Sequence, residues 1–174
     1  MRNITLNNNI FVTVGRFCTS TIILLVLVFA ATVAYQPTAL AQDYNKQNLE
    51  GVDFSGQDLT NDSFTKANLT NSNLSHSTLE GVSLFGANLE GANLEGADLT
   101  YATLDLANFK NANLTNAILE GAFGFSARFP GAIIDGADFT DVLLRPETQE
   151  ELCSVAKGTN PITGRDTRET LFCY

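Results

Sequence analysis

A five-residue period organises most of this chain. Between Ala87 and Leu104 (ANLEGANLEGADLTYATL), alanine recurs at every fifth position and a leucine follows each alanine two residues later. The period matches neither the 3.6-residue turn of an α-helix nor the two-residue alternation of a strand. It requires an architecture in which the chain turns in the same direction every five residues.

The same register extends in both directions, from Leu49 to Leu144, over twenty consecutive units. Its leucine position holds Leu, Phe or Ile in every unit except at Gly124. The position two residues earlier is alanine in every unit from Ala87 to Ala137, and it has a short side chain in most other units. The exceptions lie in the first turns and are Gln47, Gln57 and Asp62. A repeat of this regularity decides the fold before any propensity argument applies.

In these residues the chain resembles the pentapeptide-repeat family, whose pattern is A(N/D)LXX, over residues 47–146. The resemblance implies an all-β solenoid, a right-handed quadrilateral β-helix with one pentapeptide on each side. The leucine position and the small position would point inward, and the other three outward. Twenty units at four per coil give about five coils. Each inward Leu or Phe would then contribute about 1.5–3 kcal/mol by burial.

Residues 1–41 have the features of a secretory signal peptide. Arg2 and Arg16 supply positive charge, residues 22–34 form a short apolar core, and Ala39–Ala41 (ALA) fits a cleavage site. Cleavage would leave Gln42 as the first residue. The alternative is an uncleaved membrane anchor, for which the apolar run is short, since a spanning helix needs about 20 residues.

The charge of the chain is strongly acidic. The whole chain has 10 Lys and Arg against 19 Asp and Glu. Two of the basic residues and none of the acids precede Gln42, so residues 42–174 carry a net charge of −11. Phosphate binding needs clustered Lys and Arg, so we expect no nucleic-acid partner. The acidic charge is compatible with a basic partner, with bound cations, or with a role in solubility alone.

One side of the predicted coil has carboxylates and no base among its outward positions. This acidic side consists of Asp58, Glu80, Asp98, Glu120 and Asp138. It could bind a cation weakly, contact a basic partner, or serve only as a solvated surface. The ligand convergence that tight Ca²⁺ binding needs is missing from the pattern, so we expect no metal or cofactor.

A second side has apolar residues at outward positions, where most sides have Asn, Asp, Thr or Glu. This aromatic side consists of Phe85, Phe123, Phe125 and Leu143. Stacked apolar residues on an exposed side indicate a partner surface, for which Phe85 and Phe125 are the candidate contacts. For Phe123 and Leu143 we expect instead that the C-terminal segment packs over them, which makes Phe85 the better candidate.

Gly124 occupies an inward position on this same side and would leave a hole in its column. The column otherwise contains Phe64, Leu84, Leu104 and Leu144. Two outcomes are open. A local bulge brings Phe123 or Phe125 inward, or both side chains stay outward and form a surface feature.

After Leu144 the repeat ends and helix signals begin. Pro146 suits the start of one helix, and Asp166 with Glu169 resembles the capping box of a second. Cys153 and Cys173, one in each predicted helix, are the only cysteines after residue 42. In an exported chain such a pair is expected to form a disulfide, here clipping a lid over the coil end, with a redox switch as the alternative. The predicted parts are a signal peptide at 1–41, a β-helix at 42–146 and an α-helical cap at 147–174.

The segment LCSVAKGTNPITGRDTRETLFC resembles the tail of the lumenal pentapeptide-repeat proteins of cyanobacteria and chloroplasts. In that group the positions of Cys153 and Cys173 form the disulfide. With the export signal, the resemblance implies the thylakoid lumen or the periplasm of a cyanobacterium. The residues alone support export to an oxidising compartment.

The sequence contains no pattern of a catalytic site. It has one histidine, His76, at an outward repeat position, and no nucleophile elbow, P-loop or zinc-protease motif. We therefore predict a non-catalytic scaffold or interaction module with a lumenal or periplasmic partner. We expect a monomer that leaves the membrane after signal cleavage. The alternative is an acidic DNA mimic that binds a gyrase-like protein, and a third reading is a structural or stress-protective protein with no fixed partner.

Overall fold

The computed structural model describes residues 41–174, and most of the predicted signal peptide lies outside the described residues. The described chain is a coil followed by a tail, and the β-structure of the coil consists of single parallel bridges. Each bridge joins a residue to the one twenty positions later, beginning with Asp43 to Ser63 and ending with Phe123 to Leu143. Since bridges also recur every five residues, one coil contains four pentapeptides. The five-residue period is therefore a four-sided β-helix.

Hydrogen bonds between consecutive coils follow the same spacing. The N–H of Leu94 donates to the carbonyl of Asn113 in the next coil at 2.7 Å, and the N–H of Asn93 donates to Ser72 in the previous coil at 2.9 Å. At the corner that follows, the N–H of Ala97 donates back to Leu94 at 3.0 Å. Each side thus satisfies its backbone groups without a strand longer than one bridge in residues 41–174.

The corners explain why glycine and asparagine recur in the repeat. The third residue of the corner turn has a positive φ at nearly every corner, as in Gly96 with φ 63° and Tyr101 with φ 57°. A positive φ at this position is typical of a type II turn. Glycine has a second use here, because the ring of Tyr101 lies against Gly121, where an added Cβ would be 2.5 Å from the ring.

The interior is filled by the two predicted inward positions. The leucine-register side chains from Phe64 to Leu119 are completely buried, and the alanines from Ala87 to Ala122 are almost equally buried. At Gly124 no bulge forms, because the bridges Thr103–Phe123 and Phe123–Leu143 keep the register. A Cβ added to Gly124 would be 3.4 Å from Cδ2 of Leu144, so that side chain takes up part of the gap.

The N-terminal end of the coil is closed by one aromatic ring. Tyr44 occupies the inward register and stacks on Phe64 with ring centroids 4.8 Å apart, while its ring meets Phe54 edge-on at 5.5 Å. Burial, and secondly the charge of Asp62, raises the pKa of the Tyr44 hydroxyl. Next to it, Gln47 and Gln57 are exposed, which matches the irregular first turns of the sequence.

The C-terminal end is covered by a tail with two helices, α1 (Pro146–Cys153) and α2 (Thr167–Thr170). Asp166 caps α2 by accepting hydrogen bonds from the N–H groups of Arg168 and Glu169. The structure has a disulfide between Cys153 and Cys173, whose Cα atoms are 5.5 Å apart. Cys173 lies beyond α2, so the prediction of one cysteine in each helix is wrong for this residue.

One asparagine and one glycine fix the tail on the last coil. The side-chain amide of Asn160 is buried and donates to the carbonyls of Asn116, Ala117 and Gly136 at 2.9 to 3.3 Å. Its carbonyl oxygen accepts from the backbone N–H groups of the following turn. Gly158 lies so close to Gly136 that an added Cβ would be 3.0 Å from the Gly136 nitrogen. The contact therefore requires a residue without a side chain.

Candidate functional site

The acidic side begins with carboxylates that already have intramolecular partners. One oxygen of Asp58 accepts from the hydroxyl of Thr60 at 2.6 Å and from its N–H at 3.1 Å. The hydroxyl bond and then the backbone bond lower the pKa of Asp58. Asp98 makes the same pair of bonds with Thr100. These aspartates therefore stabilise the local turn, and each keeps its second oxygen free of such bonds. Glu80, between them, is exposed.

At its C-terminal end the acidic side is neutralised by the tail. The Nη1 atom of Arg165 lies 2.6 Å from a carboxylate oxygen of Glu120 and 3.1 Å from one of Asp138. Asp138 has no exposed surface. The prediction of an exposed acidic side that runs as far as Asp138 is therefore wrong, because the tail both covers this carboxylate and supplies the base that the acidic side lacks. The exposed acidic surface is reduced to Asp58, Glu80, Asp98 and part of Glu120.

The pKa of Asp138 shows which effects dominate at this contact. Burial is the largest single influence and would raise the pKa. Hydrogen bonds from Thr140 and Thr163, together with the charge of Arg165, outweigh burial and lower it. The carboxylate is thus ionised in the folded protein. The same contact raises the pKa of Arg165, chiefly through the hydrogen bond to Glu120.

On the aromatic side, Phe123 and Phe125 both point outward. Phe123 is 54% exposed and Phe125 46%, while Leu143 is 53% exposed. The expectation that the C-terminal segment covers Phe123 and Leu143 is therefore wrong, because the tail lies over the end of the coil. Phe85, the candidate favoured from the sequence, is half-buried. Phe123 and Leu143 are therefore more accessible than Phe85.

The corners on either border of this side extend the apolar surface. Tyr101 and Leu106 are each 57% exposed. Two charged residues also belong to the side: Asp105 accepts a hydrogen bond from the N–H of Ser126 at 3.0 Å, and Arg145 donates to the Ser126 hydroxyl at 3.0 Å. The guanidinium of Arg145 lies 5.2 Å from the centre of the Phe125 ring, within range of a cation–π contact.

The asparagines on the two remaining sides form hydrogen-bonded ladders from coil to coil. The side-chain amide of Asn113 donates to that of Asn93 at 3.1 Å, and Asn93 donates to Asn73 at 3.3 Å. A similar ladder joins Asn108 to Asn88. These amides bond to one another from coil to coil, so they stabilise the stack and form no site.

In residues 41–174, no three His, Cys, Asp or Glu side chains are placed to hold a metal ion together. No helix in this part of the chain is long and apolar enough to cross a bilayer. One surface depression is lined by Leu106, Arg128 and Arg145.

The anchors of the tail, Asn160 and Arg165, were not identified from the sequence. The sequence held one signal for Asn160, the Asn-Pro step after a glycine, which marks a turn but does not show what the amide contacts. Arg165 lies 45 residues from Glu120, and no local pattern joins the two positions.

Comparison with known proteins places these features in one group. The sequence profile described as "Pentapeptide repeats" matches the chain in eight copies, over residues 48–84, 63–100, 79–116 and 107–145. A solved pentapeptide repeat protein from the Arabidopsis thaliana thylakoid lumen is 47% identical, with a TM-score of 0.73. The match covers 75% of this chain and 90% of that one. No curated protein matches the chain.

Other matched structures are more distant. A pentapeptide repeat protein from Nostoc PCC 7120 is 28% identical with a TM-score of 0.51, covering 66% of this chain and 94% of that one. QnrB1, a plasmid-mediated fluoroquinolone resistance protein, is 13% identical with a TM-score of 0.27, covering 58% and 71%. The QnrB1 likeness is too low to support an argument about function. These relatives imply a right-handed, four-sided β-helix.

Proposed function

The chain belongs to the pentapeptide-repeat family, and on that premise we propose that it is a non-catalytic scaffold or interaction module of an exported compartment. The compartment is the thylakoid lumen or the periplasm of a cyanobacterium. The 47% identity to a thylakoid-lumen protein supports the lumen, and the disulfide between Cys153 and Cys173 suits an oxidising compartment. The signal-peptide pattern at 1–41 is consistent with both.

The filled interior is the observation that carries this proposal. From Phe64 to Leu119 the inward columns are completely buried, so this part of the coil has a filled interior. Enzymes usually bind their substrates in concave pockets lined by convergent polar groups, and the filled interior between Phe64 and Leu119 leaves no room for such a pocket inside this part of the coil. What the coil does present is a set of ordered outward side chains at fixed spacing, which suits contact with another macromolecule.

Two surfaces are available for such contact. The first is the exposed part of the acidic side, from Asp58 through Glu80 to Asp98, which would attract a basic partner. The second is the aromatic side. The alternative of a DNA mimic rests on the net charge of −11 in residues 42–174. A gyrase-like partner would require a cytosolic chain, which conflicts with export.

The test is cross-linking in the native compartment, followed by recovery of the chain and mass spectrometry of the attached proteins. We expect one stoichiometric partner whose recovery falls at least about tenfold in Glu80→Lys or Phe85→Ser. The matched control is Glu95→Lys, which reverses a charge on a different side. A partner retained equally by all variants, or no partner above background from protein confirmed as exported, contradicts the interaction module. A gyrase-like protein among the products contradicts the proposed compartment.

A further inference from the structure

One outward column of the aromatic side has an aromatic residue between two opposite charges. In the outward column that follows the inward register, the residues of successive coils are Thr65, Phe85, Asp105, Phe125 and Arg145. Asp105 therefore lies one coil before Phe125, and Arg145 lies one coil after it. Coil spacing places each about 4.8 Å from Phe125 along the coil axis.

Neither of these charges has an ionic partner in the described part of the chain. The salt bridges of residues 41–174 join Lys110 to Glu90, Lys157 to Asp135, and Arg165 to Glu120 and Asp138. Asp105 has only the hydrogen bond from Ser126, and Arg145 has only Ser126 and the Phe125 ring. Each charge is thus held in place by the coil and faces outward without a counter-ion.

We propose that the aromatic side binds the same side of a second copy of this chain, with the two coils antiparallel. A two-fold axis that lies in the interface, perpendicular to the coil axis and level with Phe125, would place Phe125 against the partner copy's Phe125. The same rotation would bring Asp105 of each copy to Arg145 of the other. One operation therefore packs the aromatic centre and forms two intermolecular ion pairs, as a self-complementary interface requires.

The charges also select this arrangement over the parallel one. A two-fold axis along the coil would place the column of Phe125 against the column of Phe123. Asp105 would then face Thr103, and Arg145 would face Leu143. Both charges would be covered without a partner, which is costly.

The other three sides do not offer such self-complementarity. Two copies of the acidic side would repel each other. The asparagine ladders already use their amides within each coil stack. The outward charges of Asp105 and Arg145 instead cancel within the aromatic side, although residues 42–174 carry −11 overall.

The association should be weak and concentration-dependent. The aromatic side is one narrow face of the coil, and interfaces below about 1,200 Å² belong to transient complexes. We expect a dissociation constant between about 10 µM and 1 mM. This inference goes beyond the proposed function and replaces the expectation of a strict monomer. The tail still covers the C-terminal coil, so end-to-end pairing there is not involved.

Sedimentation equilibrium of residues 42–174 tests the proposal, because Leu40–Tyr174 form a compact unit of their own. We expect reversible dimers in the wild type at about 0.15 M salt, where ion pairs are screened beyond about 8 Å. Asp105→Arg alone and Arg145→Asp alone should each weaken dimerisation at least about tenfold. The double swap should restore it to within about threefold of wild type, because the pairing is re-formed with reversed polarity.

Three further variants separate the interface from folding. Asp105→Asn keeps an oxygen that can accept from the Ser126 N–H while removing the charge, and should also weaken dimers. Phe125→Ser should weaken them at least about tenfold. Exchanging the charges of Glu90 and Lys110, a salt bridge on a different side, should leave the dissociation constant unchanged. Circular dichroism melting confirms that each variant is folded.

Three results would overturn the inference. These are a wild-type protein that stays monomeric up to about 1 mM, dimers that survive Phe125→Ser, and a charge pair whose double swap restores nothing. A monomeric chain that nonetheless loses its cross-linked partner in Phe85→Ser would overturn the dimer and support the proposed function. A chain that dimerises but has no other partner in the compartment would support the dimer and contradict the proposed interaction module.

Discussion

Leu94 and Asn160 are both buried, but only one of them has equivalents elsewhere in the molecule. Leu94 lies in a column with Leu74 and Leu114, and nearly every corner of the coil repeats the same turn. Asn160 is the one asparagine that joins the tail to three carbonyls of the last two coils. The coil is stabilised by many similar contacts, and the tail by a few specific ones.

This difference has a consequence for how the two regions respond to change. Stability in a repeat array is approximately a sum of unit and nearest-neighbour terms, so a coil depends on the coils that it touches. The tail depends on Asn160, on Arg165 and on the disulfide. We therefore expect damage in the coil interior to disrupt folding, and damage at the anchors to release the tail from an intact coil.

The largest effect is expected for Leu94→Glu. The substitution puts a carboxylate into a column with no exposed surface, where a buried unpaired charge is strongly destabilising. We predict loss of the cooperative thermal transition measured by circular dichroism. Leu94→Met is the control, because a swap that conserves volume costs less than about 1.5 kcal/mol. A Leu94→Glu protein that melts like the parent would show that the inward register is assigned wrongly.

Asn160→Ala should release the tail while the coil stays folded. The change removes three bonds to carbonyls and leaves buried polar groups unsatisfied, so we expect a loss of about 2–4 kcal/mol in tail docking. Limited proteolysis should cut within 146–174 faster than in the parent. Ile162→Ala is the matched control, since this neighbouring side chain is 71% exposed. Equal cleavage in both variants would contradict the role of the amide.

Acid should weaken the tail through Asp138. Because its pKa is lowered in the folded protein, ionised Asp138 contributes stability that is complete above the unfolded value of about 3.9. That contribution is lost as the pH falls below this value and through the folded pKa. We expect faster proteolysis of the tail at pH 3 than at pH 6. In Arg165→Gln the difference in proteolysis between pH 3 and pH 6 should be smaller. If it is unchanged, the acid sensitivity of the tail comes from groups other than the contact between Asp138 and Arg165.

The smallest effect is expected on the coil surface, at Glu90→Lys. The salt bridge from Glu90 to Lys110 is 2.7 Å long but solvent-exposed, and such pairs contribute little. We predict a loss below about 1 kcal/mol in the free energy of unfolding, despite the new repulsion from Lys110. Glu95→Lys serves for comparison. A loss above about 2 kcal/mol would show that this outward position is packed.

The coil could be predicted from the sequence because each unit repeats the evidence for the others. The inward register at Leu94 is supported by the same residue types five positions away in both directions. Even Gly124 does not shift the register, because the bridges on either side of it bind the chain to its neighbours. The helix cap at Asp166 was predictable for a similar reason, since its signal is local.

The candidate surfaces were less predictable because they depend on where the tail goes. The sequence could not show that Arg165 reaches the acidic side and buries Asp138, since this contact joins residues 27 positions apart. Nor could it show that Phe123 and Leu143 stay uncovered. That outcome depends on the direction in which α1 leaves the coil after Arg145, and no repeat constrains that direction.

The most direct test of the contrast between coil and tail is amide hydrogen exchange of residues 42–174 with and without reductant. The disulfide between Cys153 and Cys173 closes a loop and contributes about 3 kcal/mol of stability, which reduction removes. We predict faster exchange in 146–174 and unchanged slow exchange in the coil between Phe64 and Leu119. Exchange that rises equally throughout the coil would contradict the account, because it would show that the coil cannot hold its fold without the clipped tail.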